Sequence, residues 1–243
     1  MIYQNNNIKN KKITILGAGI SGFGATKLAN YKKAKVFLSN NKKFNNPFNN
    51  KIEKEFSHSE KCKDSDLVIL SPGIDPQKNK IIKILSNLNI PIISEIEFAS
   101  WFTNSPIIAI TGSNGKSTVV KMLHEILQKK YKNILLGGNI GISFSSNVVD
   151  ELKNELVNSI HLLEVSSFQL ENIKTFKPYI SCILNVSKDH LARHGDFNNY
   201  LNQKLKITKN HDSNSFVVYN EDDNNLKSVF KEKINSIPFS IQK

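Results

Sequence analysis

The chain has 243 residues, 39% of them hydrophobic, with a formal net charge of +12, which suits one large or two modest domains with a sizeable core. No apolar run approaches the length of a membrane span, so no membrane insertion is expected. The positive charge is almost all lysine, scattered along the chain, and Arg193 is the only arginine; guanine edges and phosphates are read mainly by arginine, so nucleic-acid binding is excluded.

Cys62 and Cys182 have no CxxC spacing and read as small apolar residues in a reducing compartment. Met1 to Lys12 is polar and lysine-rich, with no apolar run to serve as a secretory signal. A cytoplasmic monomer is the expectation.

The first strand is expected at Lys12 to Leu16, followed by the turn Gly17-Ala18-Gly19-Ile20-Ser21-Gly22, a helix over Phe23 to Tyr31 and a strand over Ala34 to Leu38. Strand, glycine turn, helix and strand form the setting in which GxGxxG carries meaning: the backbone turns tightly and a diphosphate meets the helix N-terminus. A nicotinamide-binding unit would place an acid at the end of the second strand, where this chain reads Leu38-Ser39-Asn40. The turn therefore has three readings: a nicotinamide or flavin site, a bare structural turn, or a site for another diphosphate.

Asp66 to Leu70 is a buried-strand candidate ending in Ser71-Pro72-Gly73-Ile74. Ligands of open α/β sheets sit beyond strand C-termini, so this loop should face the same crevice as the glycine turn. A helix is expected over Ile81 to Leu88, a strand over Ile90 to Ile93 and a helix over Glu95 to Trp101, broken at Thr103-Asn104-Ser105-Pro106. The βα pattern restarts there, which gives domains over 1–98 and 99–243.

The second domain opens with the strand Ile107 to Ile110, the loop Thr111-Gly112-Ser113-Asn114-Gly115-Lys116-Ser117-Thr118 and a helix through Leu127. This is a phosphate-binding loop: backbone N–H groups cradle phosphates, Lys116 offers charge to the β- and γ-phosphates, and the Ser117 hydroxyl suits Mg²⁺. The generic pattern has glycine at position 110, where this chain has Ile110. ATP is expected rather than GTP, since no guanine-reading segment is evident. The overall expectation is α/β: a Rossmann-like domain, then a P-loop domain with a mainly parallel sheet.

TGSNGKST resembles the ATP loop of the Mur ligase and folylpolyglutamate synthetase superfamily. Gly137-Gly138-Asn139-Ile140-Gly141, Glu164-Val165-Ser166-Ser167-Phe168-Gln169-Leu170-Glu171, Asn185-Val186-Ser187-Lys188-Asp189-His190-Leu191 and Tyr200-Leu201-Asn202-Gln203-Lys204-Leu205-Lys206-Ile207 resemble further family segments in the right order. The SSFQLE run is similar to that of the D-glutamate-adding members of the Mur ligase family.

The resemblance implies ATP-dependent addition of D-glutamate to UDP-N-acetylmuramoyl-L-alanine, through an acyl phosphate, in peptidoglycan precursor synthesis. It implies that Gly112, Ser113, Asn114, Gly115, Lys116, Ser117 and Thr118 hold ATP, and that Ser117, Glu164, His190 and a carbamylated Lys204 hold Mg²⁺. Lys116, Lys204 and His190 would be catalytic. Ile20, Ser21, Ser39, Ser71, Pro72, Gly73, Asn139 and His190 would bind substrate. Lys206 lies on another helix face and serves as an internal control for Lys204. His194 has no clear role, and His58, His124, His161 and His211 are expected to have none.

Three departures stand out. Leu38 replaces an aspartate that contacts uracil in relatives, leaving that contact to Ser39 or a backbone group. Ala192 stands where relatives have aspartate. The family has three domains, and this sequence is expected to lack the C-terminal, amino-acid-binding one and to carry an incomplete central one.

Overall fold

The computed structural model describes residues 7–45, 47–48 and 52–242. Residues 1–6, which entered the reading of the N-terminus, lie outside these. In chain order the elements are β1 (Lys12–Leu16), α1 (Ile20–Tyr31), β2 (Lys35–Ser39), β3 (Glu53–Glu55), β4 (Leu67–Leu70), α2 (Lys80–Asn87), β5 (Ile92–Ser94), α3 (Glu95–Ser100), β6 (Ile107–Thr111) and α4 (Lys116–Leu127). There follow β7 (Asn133–Gly138), α5 (Phe144–Lys153), β8 (Ser159–Glu164), β9 (Ile180–Ile183), α6 (Leu191–His194), α7 (Phe197–Leu205), β10 (Phe216–Asn220), α8 (Asn224–Phe230) and β11 (Ser236–Phe239). Among the described residues no helix is long and apolar enough to cross a membrane.

The chain divides into two compact units. The first comprises Met1–Thr103, Ser143–Leu152 and Asn172–Lys174. Its sheet is parallel throughout, in the order β3-β2-β1-β4-β5. All of β4 and four of the five residues of β1 are buried, as continuous apolar runs covered on both faces should be. The strand order reverses between β1 and β4, which opens a crevice beyond their C-terminal ends.

Two outlying segments are tied into this unit by acids near the start of α3. Glu95 accepts from the Ser145 amide at 2.5 Å. Glu97 accepts from Trp101 Nε1 and from the Lys174 amide, both at 2.9 Å. Ser94 caps α3, its hydroxyl accepting from Glu97 N.

The second unit comprises Asn104–Ile142, Lys153–Glu171 and Thr175–Lys243. Its six strands are also all parallel, in the order β11-β10-β9-β6-β8-β7. Ile110, Val120, Ile134, Leu162 and Leu184 form a core cluster between this sheet and α4.

Several boundaries differ from those read in the sequence. Helix α1 starts at Ile20 rather than Phe23, because Gly19 serves as N-cap and the last residues of the turn are already helical. Helix α7 starts at Phe197, where Asp196 accepts from the Asn199 amide, and ends in a 3₁₀ turn, Lys206–Thr208. Strand β9 ends at Ile183, and Asn185 just beyond it bonds to the phosphate loop.

Candidate active site

The phosphate loop of the second unit follows from β6 and α4. Ile110 is fully buried in β6, so the position where the generic pattern has glycine is strand, and the loop proper is Gly112 to Gly115. Gly115 caps α4 with φ +81°, a left-handed conformation that glycine adopts at little cost.

The loop is braced before any ligand arrives. The Ser113 amide donates to the Asn185 carbonyl at 3.0 Å and the Asn114 amide to Asn185 Oδ1 at 2.9 Å. Asn185 Nδ2 returns a bond to the Asn114 carbonyl at 3.1 Å. Ser113 Oγ accepts from the Ser187 amide at 3.0 Å and lies 3.1 Å from both the Ser187 carbonyl and the Tyr200 hydroxyl. Thus the Asn185–Leu191 segment and α7 both grip the loop, a preorganised arrangement for binding phosphates.

Lys116 Nζ donates to the Gly112 and Ser113 carbonyls at 2.9 and 3.0 Å. Lys204 is 2% exposed, and its Nζ donates to the same Gly112 carbonyl at 2.8 Å while lying 4.5 Å above the Tyr200 ring. Burial pushes the Lys204 ammonium down to about 7, Lys116 adds to the shift, and Asp189 opposes it.

Glu164, at the end of β8, is 2% exposed and accepts from Ser117 Oγ at 2.5 Å and Asn139 Nδ2 at 2.8 Å. Both donors are neutral, so neither compensates the carboxylate charge. A hard divalent cation fits this buried set of oxygens, with Ser117 and Glu164 as ligands. Among the described residues no group of three or more His, Cys, Asp and Glu side chains forms a metal cluster.

His190 is exposed. Its backbone is left-handed (φ 52°) at the start of α6. Its ring packs against Phe168 and Tyr200, with centroids at 4.9 and 6.3 Å, and its Nε2 lies 3.4 Å from Asp189. Thr118 is exposed on the first turn of α4.

The expected substrate loops of the first unit meet at the crevice. Gly17 has φ +101°, and a Cβ there would lie 2.7 Å from Ser71 Cβ and Oγ; only glycine allows this approach. Ser71 Oγ donates to the Gly17 carbonyl at 3.2 Å, so the glycine turn and Ser71-Pro72-Gly73 are one surface. Ile20 is 64% exposed at the start of α1, and Ser21 is half-buried beside it. Ser39 is fully buried at the end of β2, and so is Leu38.

Four features escaped the sequence reading. Tyr200 joins Ser113 to the Lys204 helix. Arg193 forms a two-point ion pair with Glu171, at 3.0 Å from Nε and 2.6 Å from a terminal nitrogen. His194 acquires a partner, Ser167, at 3.0 Å and stacks on Phe168. Lys206 Nζ donates to the Glu171 carbonyl at 3.4 Å. Ala192 is exposed.

These features define a P-loop α/β protein whose nucleotide unit is joined to a Rossmann-like one. Residues 110–243 match the Mur ligase middle domain and residues 12–80 the MurD N-terminal domain. The chain belongs to the Mur ligase family. It is 38% identical over 244 residues to a protein of Christiangramia forsetii, covering 96% of this chain and 54% of the relative. It is 42% identical over 247 residues to one of Thermosipho africanus, covering 94% and 55%. Both relatives carry the name UDP-N-acetylmuramoylalanine--D-glutamate ligase, and the chain spans about half the length of such relatives.

Among solved structures, the chain aligns with the UDP-N-acetylmuramate:L-alanyl-gamma-D-glutamyl-meso-diaminopimelate ligase of Neisseria meningitides (TM-score 0.61, 17% identity, 95% of this chain and 77% of that one). It also aligns with the MurF ligase of Thermotoga maritima in complex with ADP (TM-score 0.51, 18% identity, 99% and 50%). At such identities the likeness establishes the fold.

Proposed function

We propose that the chain carries the nucleotide-sugar and ATP sites of a ligase that adds D-glutamate to UDP-N-acetylmuramoyl-L-alanine. The first unit takes the uridine diphosphate on the surface made by Gly17–Gly22 and Ser71–Gly73; the second takes ATP on Gly112–Thr118. The observation that carries this reading is the convergence of Lys116 and Lys204 on the phosphate loop beside the Ser117–Glu164 pair. The names of the relatives supply the choice of D-glutamate.

In the proposed reaction the substrate carboxylate attacks the γ-phosphorus of ATP. The bond to the bridging oxygen breaks, ADP leaves, and an acyl phosphate remains. The amine nitrogen of D-glutamate then attacks the acyl carbon, the bond from that carbon to the phosphate oxygen breaks, and phosphate departs with the proton the nitrogen gives up. Two anions must approach, so the site's task is to neutralise charge and align the groups. Lys116 supplies a cation to the phosphates, the amides at the N-terminus of α4 receive them, and Asn139 orients the substrate. Mg²⁺, held by Ser117 and Glu164 when bound, supplies positive charge at the phosphate oxygens.

Lys204, titrating near neutrality, is proposed to react with CO₂. Its free amine attacks the carbon, a proton passes to solvent, and a carbamate oxygen replaces a buried cation with a metal ligand. His190 is proposed to lie beside the substrate.

Phosphate release on adding ATP, the muramoyl nucleotide and D-glutamate together tests this reading. Release that requires all three supports it. A second reading is a binding module without turnover. Binding of both nucleotides without release would select it, and release from ATP regardless of the acceptor would refute the ligase reading.

A further inference from the structure

In βαβ nucleotide units, the end of the second strand carries the group that reads the nucleoside when its diphosphate lies on the first turn. Here β2 ends in Leu38 and Ser39, both 0% exposed, and neither side chain is an acid. A carboxylate arrives instead from the next strand, since Glu55 is the register partner of Ser39 in the parallel pair of β2 and β3. Ser39 Oγ donates to Glu55 Oε1 at 2.7 Å and lies 2.7 Å from His58 Nδ1. Glu55 also accepts from the Ser59 amide at 2.7 Å, from Ser59 Oγ, and from Cys62 Sγ at 3.5 Å.

The direction of this relay follows from counting protons. Burial pushes the Glu55 carboxyl up, but the bonds from Ser59, Ser39 and Cys62 outweigh burial and hold it below its ordinary value, so Glu55 is an anion that only accepts. The single Ser39 hydroxyl proton goes to Glu55, so Ser39 must accept from His58 Nδ1–H. Burial keeps the imidazole neutral against the pull of Glu55. A neutral ring protonated on Nδ1 leaves Nε2 as a bare acceptor.

The relay stands against the glycine turn. The Gly17 amide donates to the Ser39 carbonyl at 2.8 Å and the Ala18 amide to Asn40 Oδ1 at 3.2 Å. His58 is half-buried there in a left-handed backbone conformation, φ 49°, which is uncommon outside glycine and recurs at binding sites. On the reading of Gly17–Gly22 as the uridine diphosphate site, we propose that His58 Nε2 accepts a hydrogen bond from a nucleoside donor, the imide N–H or a ribose hydroxyl. The acid missing from β2 is thereby replaced by an imidazole held in one tautomer by Glu55 through Ser39, and His58 becomes a specificity-determining residue rather than an idle one.

The test is calorimetric titration of wild type, His58→Ala and His58→Gln with UDP, UDP methylated on the imide nitrogen, and deoxy-UDP. Loss of one hydrogen bond should weaken UDP binding by about tenfold in His58→Ala, with partial recovery in His58→Gln, whose amide oxygen still accepts. One of the two analogues should show a similar loss in wild type and none in His58→Ala, because the penalty belongs to the deleted contact. Thermal melts of each variant separate a lost contact from a lost fold. UDP binding unchanged in His58→Ala, or wild type indifferent to both analogues, overturns the proposal while leaving the uridine reading intact. No UDP binding by folded wild type overturns both.

Discussion

Lys116 and Lys204 share one acceptor: their ammonium nitrogens lie 2.9 and 2.8 Å from the carbonyl oxygen of Gly112. Burial, aided by the neighbouring Lys116 charge, pushes the Lys204 ammonium down to about 7. In the proposed reaction one lysine serves as a cation for phosphates and the other as a nucleophile toward CO₂.

Carbamylation of Lys204 should therefore be detectable by NMR with carbon-labelled bicarbonate, the signal growing as pH rises through about 7. Lys204→Ala should lose the signal and be severely impaired in turnover, with partial rescue by added short carboxylates. Lys206→Ala, which gives up a bond to the Glu171 carbonyl, should be mild. Equal impairment at both positions would count against the carbamate.

Lys116→Ala should abolish ATP-dependent phosphate release and weaken ATP by about tenfold or more, since hydrogen bonds to charged groups contribute roughly 1.5–3 kcal/mol. The same variant should move the Lys204 midpoint upward, because the Lys116 charge helps depress it. A midpoint that stays put would show that burial alone sets it.

Glu95 ties Ser145 into the first unit, and its burial raises the carboxyl from 4.5 to about 7. The folded state binds this proton more tightly than the unfolded chain does. The resulting stability is present below about 4.5 and is lost as pH rises through about 7, with a span on the order of 3 kcal/mol. Urea melts of Glu95→Gln across that window should show a flatter dependence than wild type; parallel curves would mean that Glu95 is not the titrating group.

Gly17→Ala should destabilise the first unit by about 2 kcal/mol through its left-handed backbone and its contact with Ser71. It should also lose UDP binding. Chemical denaturation and UDP titration check the two effects separately.

The phosphate loop was legible because its chemistry is local: strand, Gly115-Lys116-Ser117 and helix follow one another in the chain. Lys204 was legible only by resemblance, since a lysine on an amphipathic helix gives no sign that Gly112, 92 residues earlier, will accept its bond. Strand β3 was missed because Glu-Lys-Glu carries no apolar alternation, and the Ser39–Glu55–His58 relay went with it. The place of α5 in the first unit was hidden for a related reason: the Glu95–Ser145 bond spans 50 residues, and periodicity reports nothing at that range.

Calorimetric titration of the chain with UDP-N-acetylmuramoyl-L-alanine, with plain UDP and NADH as controls, tests the central claim most directly. The account predicts binding of the muramoyl nucleotide, tighter than that of UDP, and no response to NADH. A folded sample that ignores the muramoyl nucleotide, or that binds NADH instead, would contradict it.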